Sequence, residues 1–325
     1  MTTILLVAST LLAADDARQN VVIVVGAPGT DEYHEAFASW AGNWKAAAEK
    51  ANAEFESIGL ETGKGNDRER LRHRLSDLIG ESSEPLWLVL IGHGTYDGRA
   101  AKFNLRGPDV TANELGKWLE TCQRPLAIVN CASSSGPFVN RLTGESRVIV
   151  TATRSGSEHN YARFGRFMSS AIADPAADLD KDEQTSLLEA FLMASAKVSE
   201  FYEDDARLAT EHALIDDNGD GLGTQADWFR GVRATRAAKD GAAIDGFRGN
   251  QFHLVRSSVE EELPADVRTR RDNLELELSR LREIKEKMDE DEYYRQVEVV
   301  VAELARLYAA VDGDVDLQED DGRNH

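Results

Sequence analysis

The sequence is poor in the residues that cross-link small secreted proteins. Among 325 residues there are only two cysteines, Cys122 and Cys131, too few for a disulfide scaffold. One extended strand is expected to separate them, which places the two sulfurs too far apart for a bond. We therefore expect both thiols to be free, Cys122 as a bystander and Cys131 as a residue able to react.

Positive charge is also scarce. The chain has 37 Lys and Arg against 58 Asp and Glu, a formal net charge of −21 at pH 7. This balance argues against nucleic acid and anionic membrane surfaces as partners, because both repel a strongly acidic protein. Long apolar runs are missing too, so no stretch approaches the roughly 20 residues that a membrane helix needs.

The longest apolar run lies at the amino terminus, over residues 3–14. Its length is typical of a signal-peptide core and too short for a membrane span. We expect residues 1–18 to be a signal peptide and the protein to be secreted or periplasmic. The alternative interpretation is a first β-strand, which would leave the protein in the cytoplasm.

What the chain does have is a succession of short apolar runs and amphipathic helices. Runs bounded by Gly, Pro and Ser are typical of buried parallel strands, and they occur at residues 21–25, 86–91, 125–129 and 147–153. A helix is predicted over residues 31–58, a second over 67–79, and a third after the capping-box pair Thr111 and Glu114. The pattern predicts a three-layer α/β domain with a mostly parallel sheet.

Two of these apolar runs are followed by residues whose side chains can act as a base or a nucleophile. Gly92-His93-Gly94 follows the run at 86–91, and Asn130-Cys131 follows the run at 125–129. A strand, a helix and a strand form a crossover unit, so the two strands are parallel and close to each other. His93 and Cys131 are therefore expected at the same carboxyl edge, where open α/β sheets place their sites.

A thiol and an imidazole at one edge can form a nucleophile and its base. A thiol near its ordinary pKa of about 8.5 is mostly protonated at neutral pH, and a nearby imidazole can take the proton. Backbone N–H groups at turns can hold the oxyanion that follows. The glycine-rich turn at residues 26–30 lacks the phosphate-loop pattern and is interpreted as a tight turn near this edge.

These features resemble the caspase–legumain–gingipain group of cysteine peptidases, in which His-Gly ends one strand and Cys ends a later one. Residues 147–155, 164–167, 186–191 and 209–221 resemble the bacterial caspase-like and legumain-like members, and the resemblance spans roughly residues 20–254. The segment Val129-Asn130-Cys131-Ala132-Ser133 differs from the caspase signature Gln-Ala-Cys, which leaves the substrate preference open.

The resemblance implies a role for each site residue. His93 and Cys131 would be catalytic, and the N–H groups of Gly94 and Cys131 would hold the oxyanion. Arg154 and Ser155 would line the substrate pocket, with Arg154 favouring an acidic side chain, whereas Asp216 at the same edge would favour a basic one. The sequence leaves open which of these charges faces the pocket, and each residue could equally be half of a structural ion pair.

The expected function is a cysteine endopeptidase that cleaves peptide or protein substrates through an acyl-enzyme. Cys131 would attack the peptide carbonyl, and His93 would accept its proton and pass it to the leaving amine. Two alternatives remain at this point: a catalytically silent binding or scaffold protein on the same fold, and a Cys-dependent acyl transferase.

The dyad requires no cofactor, but two acidic loops have calcium-ligand spacing. The first carries Asp178, Asp180, Asp182, Gln184, Ser186 and Glu189, and the second carries Asp216, Asn218, Asp220, Gly221 and Asp227. The alternatives are carboxylates gathered at a helix amino terminus for the first loop and a solvated turn for the second.

A composition break near residue 260 divides the chain. We expect the peptidase domain over residues 19–259, a helical hairpin over 260–312 and a disordered acidic tail over 313–325. The hairpin is indicated by two apolar stripes at helical spacing: Leu274, Leu278, Leu281, Ile284 and Met288 in the first arm, and Val297, Val301, Leu304, Tyr308 and Val311 in the second. Such stripes could also support self-association.

Overall fold

The computed structural model describes residues 18–61, 65–239 and 242–321, with side chains up to residue 309. The expected signal peptide, apart from Arg18, and the last four residues lie outside this range. In the described ranges, no helix is long and apolar enough to span a bilayer.

The strands are short, and those at the centre of the main sheet are the most fully buried. They are β1 (Asn20–Val25), β2 (Glu54–Ile58), β3 (Leu86–Ile91), β4 (Gly94–Tyr96), β5 (Ala101–Phe103), β6 (Val110–Thr111), β7 (Leu126–Asn130), β8 (Arg147–Thr151), β9 (Leu214–Asp216), β10 (Thr224–Gln225), β11 (Phe229–Arg230) and β12 (Arg233–Ala234).

The helices lie between and after these strands. They are α1 (Asp31–Lys50), α2 (Asp67–Leu78), α3 (Ala112–Trp118), α4 (Val139–Leu142), α5 (Phe164–Ala171), α6 (Leu187–Asp204), α7 (Phe247–Gln251), α8 (Ser258–Glu262), α9 (Ala265–Ile284) and α10 (Glu290–Asp321).

The main sheet has seven strands in the order β10-β9-β8-β7-β3-β1-β2. The strands from β2 to β8 in this order are parallel, and β9 runs antiparallel to β8. Since β3 and β7 are direct neighbours in parallel register, the segments that follow them leave the same edge of the sheet. A small antiparallel sheet of β4, β5 and β6 stands at that edge.

Each face of the sheet buries its own apolar core. Helices α1, α5 and α6 cover one face, where Trp87, Val89 and Ile91 alternate inward from β3. Helices α2, α3 and α4 cover the other face, on which Leu88 and Leu90 lie. The prediction of a three-layer α/β domain with a mostly parallel sheet is thus confirmed.

One predicted helix is wrong in its length. The helix expected over residues 31–58 ends at Lys50, and β2 follows it as the edge strand. The break falls at Asn52, whose φ of 49° is left-handed and stops the helix. Phe55 and Ile58 still lie at helical spacing, so the apolar periodicity alone predicts a helix that continues to Ile58.

The carboxyl-terminal helical hairpin is present as predicted, with α9 and α10 packed against each other. The inner stripe of α10 differs, however: Tyr293 and Val300 are buried against Leu274 and Leu281, whereas Val301 and Tyr308 are largely exposed. Helix α10 also continues through Asp321, past the expected start of the tail.

Candidate active site

The base expected from the sequence stands directly after β3. The His93 ring packs against α1, with ring centroids 4.7 Å from Tyr33 and 5.2 Å from Phe37, and 6.0 Å from Tyr161. Burial is the main cause that lowers the pKa of His93, so the imidazole is neutral at neutral pH.

A backbone carbonyl orients this imidazole. His93 Nε2 lies 3.2 Å from the carbonyl oxygen of Pro28, in the turn between β1 and α1. Because a carbonyl can only accept, Nε2 must carry the proton, and Nδ1 keeps its lone pair. The turn that the sequence placed near this edge therefore leaves His93 ready to act as a base through Nδ1.

Cys131 lies at the same edge and on the same face of the sheet as His93, but its side chain is buried. The residue is 1% exposed. A Cβ added to Gly165 of α5 would lie 2.7 Å from Cys131 Cβ and 2.8 Å from the Trp40 ring, so these three residues are closely packed. Burial, with a smaller contribution from Glu211, raises the pKa of the Cys131 thiol. A thiol in this setting stays protonated and inert.

The backbone of Cys131 is also engaged. Its N–H donates to the carbonyl oxygen of Leu90 at 2.9 Å, which continues the ladder between β3 and β7. This N–H is therefore not free to hold an oxyanion, which corrects that part of the expectation. The N–H of Gly94 does point into the site, where it donates to Ser133 Oγ at 3.3 Å.

Ser133 is a further polar residue of this site, and it is not among the site residues predicted from the sequence. Its hydroxyl accepts from Gly94 N–H and donates to the Gly94 carbonyl at 3.2 Å, next to His93 in the chain. The following residue, Ser134, has a φ of 55°, uncommon for a residue other than glycine and typical of strained functional turns. Its signal in the sequence is the segment Ser133-Ser134-Ser135-Gly136, which by composition alone is typical of a turn of small residues.

The turn that carries Ser133 is held from the next strand. Ser135 Oγ accepts from Thr153 N–H at 3.1 Å, and Thr153 Oγ1 accepts from Gly136 N–H at 3.1 Å. A Cβ at Gly136 would lie 2.4 Å from the Arg154 carbonyl carbon, so only glycine allows this approach. The segments after β7 and β8 thus form one rigid rim.

Arg154 and Ser155 stand on that rim, and both have partners. Arg154 Nε lies 3.2 Å from Glu158 Oε1, and Ser155 Oγ lies 2.8 Å from Ser157 Oγ. Glu158 also accepts from the His212 ring at 2.6 Å. The Arg154 side chain is about half exposed, so its guanidinium reaches solvent beside the site while remaining paired.

Asp216 is placed elsewhere. In the antiparallel pairing of β9 with β8, Asp216 lies opposite Ile149, the middle residue of β8, whereas Leu214 lies opposite Thr151 at its end. Strand β9 therefore runs away from the edge that carries His93, and Asp216, its last residue, lies level with the middle of β8. This placement corrects the expectation that Asp216 shares the substrate pocket with Arg154.

A cavity of about 590 Å³ opens next to the rim, between α6 and the segments that precede β9 and follow β10. Its walls are mainly apolar, including Ala152, Phe164, Leu192 and Phe229. The buried carboxylate of Glu211 lies in its wall, where it accepts from the N–H groups of Arg163 and Phe164. An apolar side chain of a bound peptide would suit this space better than a charged one.

The first candidate calcium loop is largely satisfied by the protein. Asp178, Asp180 and Asp182 hold carboxylate oxygens within 4.8 Å of one another. Asp178 accepts from the N–H groups of Lys181 and Glu183. Glu189 accepts from the N–H of Ser186 at 2.8 Å, which completes the cap of α6. These contacts support the alternative interpretation, a carboxylate cluster at a helix amino terminus.

Comparisons with known proteins give only distant likenesses. No family model matches the sequence, and no curated protein matches it. Among solved structures, the chain is similar to the Drosophila initiator caspase Dronc, with 13% identity and a TM-score of 0.42 over 64% of this chain and 81% of that one. It is also similar to caspase-1 from Spodoptera frugiperda, with 11% identity and a TM-score of 0.40 over 62% of this chain and 86% of that one. At this level of similarity, the chemistry has to be argued from the residues of the chain itself.

Proposed function

We propose that the protein is a peptide-bond hydrolase in which Ser133, rather than Cys131, is the nucleophile and His93 is the base. The observation that supports this most is the position of the Ser133 hydroxyl. It lies within hydrogen-bond distance of both backbone groups of Gly94, the residue that follows the base in the chain, whereas Cys131 is 1% exposed and its Cβ packs closely against Gly165.

The proposed reaction is an acyl transfer in two halves. Ser133 Oγ attacks the carbonyl carbon of the substrate, its proton passes to His93 Nδ1, and the Gly94 N–H donates to the oxyanion. His93 then gives that proton to the leaving amine, which breaks the C–N bond and leaves an acyl ester on Ser133. A water molecule, deprotonated by the same imidazole, cleaves the ester and restores the hydroxyl.

The Pro28 carbonyl has a positioning role in this scheme. It accepts from His93 Nε2 and so keeps the neutral tautomer with Nδ1 unprotonated. In the resting arrangement the Ser133 hydroxyl donates to the Gly94 carbonyl. Rotation of this hydroxyl away from Gly94 releases the Gly94 N–H for the oxyanion and turns the proton towards the base.

The second candidate is a catalytically silent protein on the same fold. It is favoured by the burial of Ser133, which is 4% exposed, and by the two hydrogen bonds that hold its hydroxyl. The endopeptidase based on Cys131 and the Cys-dependent acyl transferase both require the sealed thiol to become accessible.

Active-site labelling separates these possibilities. We expect a fluorophosphonate to label Ser133 stoichiometrically and a peptide library to be cleaved. Both signals should be lost in Ser133→Ala and fall by roughly 10²-fold or more in His93→Ala, the typical contribution of a general base. Ser134→Ala is the matched control, since it removes a neighbouring buried hydroxyl and should keep both signals.

Two results would contradict the proposal. If iodoacetamide labels Cys131 faster than Cys122, and Cys131→Ala abolishes cleavage while Ser133→Ala does not, the nucleophile is the thiol. If the folded protein reacts with neither reagent and cleaves no peptide, the silent alternative is correct.

A further inference from the structure

A buried carboxylate at the end of β9 has no hydrogen-bond partner of normal geometry. Asp216, at the end of β9, is 1% exposed. Neither of its oxygens accepts a hydrogen bond of normal geometry, and it forms no ion pair, within the described part of the chain. An ionised carboxylate taken out of water without a partner is strongly unfavourable, so such a group normally pairs with a cation or takes up a proton.

The neighbouring buried carboxylates are satisfied, which sets Asp216 apart. Asp217 accepts from the N–H groups of Gly246 at 2.9 Å and Gly249 at 2.6 Å. Asp245 accepts from the Asp217 N–H at 3.0 Å and from the Thr224 hydroxyl at 2.6 Å. The hydrogen bonds of these two side chains hold the segment before α7 against the end of β9, and each of the two carboxylates has hydrogen-bond donors.

Other oxygen atoms gather around Asp216. The Thr143 hydroxyl, at the end of α4, is buried and also lacks a partner. The pKa of Asp216 is raised to about 6, mainly by burial and to a smaller extent by the nearby Asp220 and Asp217, while the Thr143 hydroxyl and the Gly221 N–H lie close enough to lower it. Thr143 and Asp216 are thus near each other, but neither makes a hydrogen bond of normal geometry.

The loop after Asp216 turns sharply and brings Asn218 and Asp220 back over a few residues, where Asn218 Oδ1 accepts from Asp220 N–H and Asp220 Oδ1 accepts from Leu222 N–H. Gly221 has a φ of 74°, which permits the sharp turn that calcium loops make at their sixth position. The Asn140 side chain donates to the Gly221 carbonyl at 2.6 Å, and this contact holds the loop against α4 next to Thr143. The exposed Asp220 supplies a second carboxylate on the same turn.

We propose that Asp216, Asn218 and Asp220, together with the Thr143 hydroxyl, bind one Ca²⁺ ion. Carboxylate, amide and hydroxyl oxygens on a flexible turn are the ligands of this hard cation, and Mg²⁺ demands a more regular geometry. The ion would provide the partner that the buried Asp216 lacks. Thr143 contributes from outside the loop, a ligand that no spacing rule in the sequence reveals.

The site is not an EF-hand. Asp227 occupies the twelfth position of the sequence pattern, but β10 pairs antiparallel with β9, with Thr224 opposite Ile215 and Gln225 opposite Leu214. The chain is therefore already running away from Asp216 when it reaches Asp227. The proposed cation would instead clamp the hairpin of β9 and β10 to the end of α4, far from His93, and act on stability rather than on catalysis.

Calcium titration of the full-length protein tests this site. After treatment with EGTA, calorimetric titration with CaCl₂ should show one bound ion per chain, with a higher Tm in calcium than in EGTA. We expect Asp216→Asn to weaken binding by more than the roughly tenfold that loss of an outer-shell partner causes. In EGTA this variant should melt above the wild type, because it removes an unpaired buried charge.

The matched control is Asp180→Asn, which changes an exposed carboxylate in the other acidic cluster and should bind calcium like the wild type. Asp220→Asn lies at the surface and provides a second test if Asp216→Asn does not fold. Absence of calcium binding, or binding that survives in both Asp216→Asn and Asp220→Asn but is lost in Asp180→Asn, would overturn the proposal.

Discussion

At the scale of single residues, Gly94 is the position on which the site is built. Both of its backbone groups bind the Ser133 hydroxyl. A Cβ at this position would lie 2.1 Å from the Ser133 carbonyl oxygen and 3.2 Å from that of Lys102. Both neighbours are backbone atoms of packed segments, so they cannot rotate away as a side chain could.

Gly94→Ala should therefore cost about 1 to 3 kcal/mol of unfolding free energy, the usual range for overpacking, and should abolish labelling of Ser133. Urea unfolding and the fluorophosphonate assay measure the two effects. The matched control is Gly42→Ala in α1, where a Cβ meets no atom within 4 Å. There the better helix propensity of alanine should add up to about 1 kcal/mol. Equal effects of the two substitutions would contradict the close approach at Gly94.

At the scale of secondary-structure elements, Glu84 joins the carboxyl-terminal helices to the sheet. It precedes β3 and is buried, and its two oxygens bind Arg256 at 2.6 Å and Arg268, on α9, at 2.5 Å. Arg268 also donates to the Leu263 carbonyl, which fixes the first turn of α9. The hairpin is thus attached to the segment before β3 through buried charge.

Removing that charge should loosen the attachment. Glu84→Gln leaves two partly buried guanidinium groups without their carboxylate, so we expect a loss of about 3 kcal/mol in unfolding free energy. Glu81→Gln, at an exposed position three residues earlier, should change stability by less than about 0.5 kcal/mol. Urea unfolding gives both values, and proteolysis should release the hairpin earlier in Glu84→Gln. A loss as small as that of the control would mean that the hairpin docks without this contact.

At the scale of the whole molecule, the layers can be predicted from the sequence because most helices and strands have a strong local pattern of apolar residues. The apolar run 86–91 matches β3 residue for residue, and Thr111 with Glu114 forms the expected capping box of α3. The edge strand β2 was missed because its end depends on one left-handed residue, Asn52.

The site could be predicted only in part, because part of it also depends on the conformation of a single residue. Topology determines that His93 and the turn after β7 meet, since β3 and β7 are neighbours. Which side chain of that turn faces Gly94 depends on the conformation of Ser134, and serine has no strong preference for a positive φ. Likewise, Thr143 and Asp216 are brought together by packing between distant segments.

Net charge also acts on the whole molecule. With a net charge of −21, the folded chain repels itself, and salt screens that repulsion. Salt also weakens surface ion pairs, but exposed pairs contribute only about 0 to 1 kcal/mol each, and the buried pairs at Glu84 are screened little. Screening of the repulsion should therefore dominate.

We expect Tm to rise when NaCl is increased from about 0.01 M to about 0.15 M, as the Debye length falls from about 30 Å to about 8 Å. Thermal melts should be run in EGTA, so that calcium does not contribute. A matched variant, Glu35→Lys on the exposed face of α1, reduces the negative charge and should show a smaller rise. A Tm that falls with salt would mean that attractive pairs, rather than the excess of carboxylates, control the electrostatic part of stability.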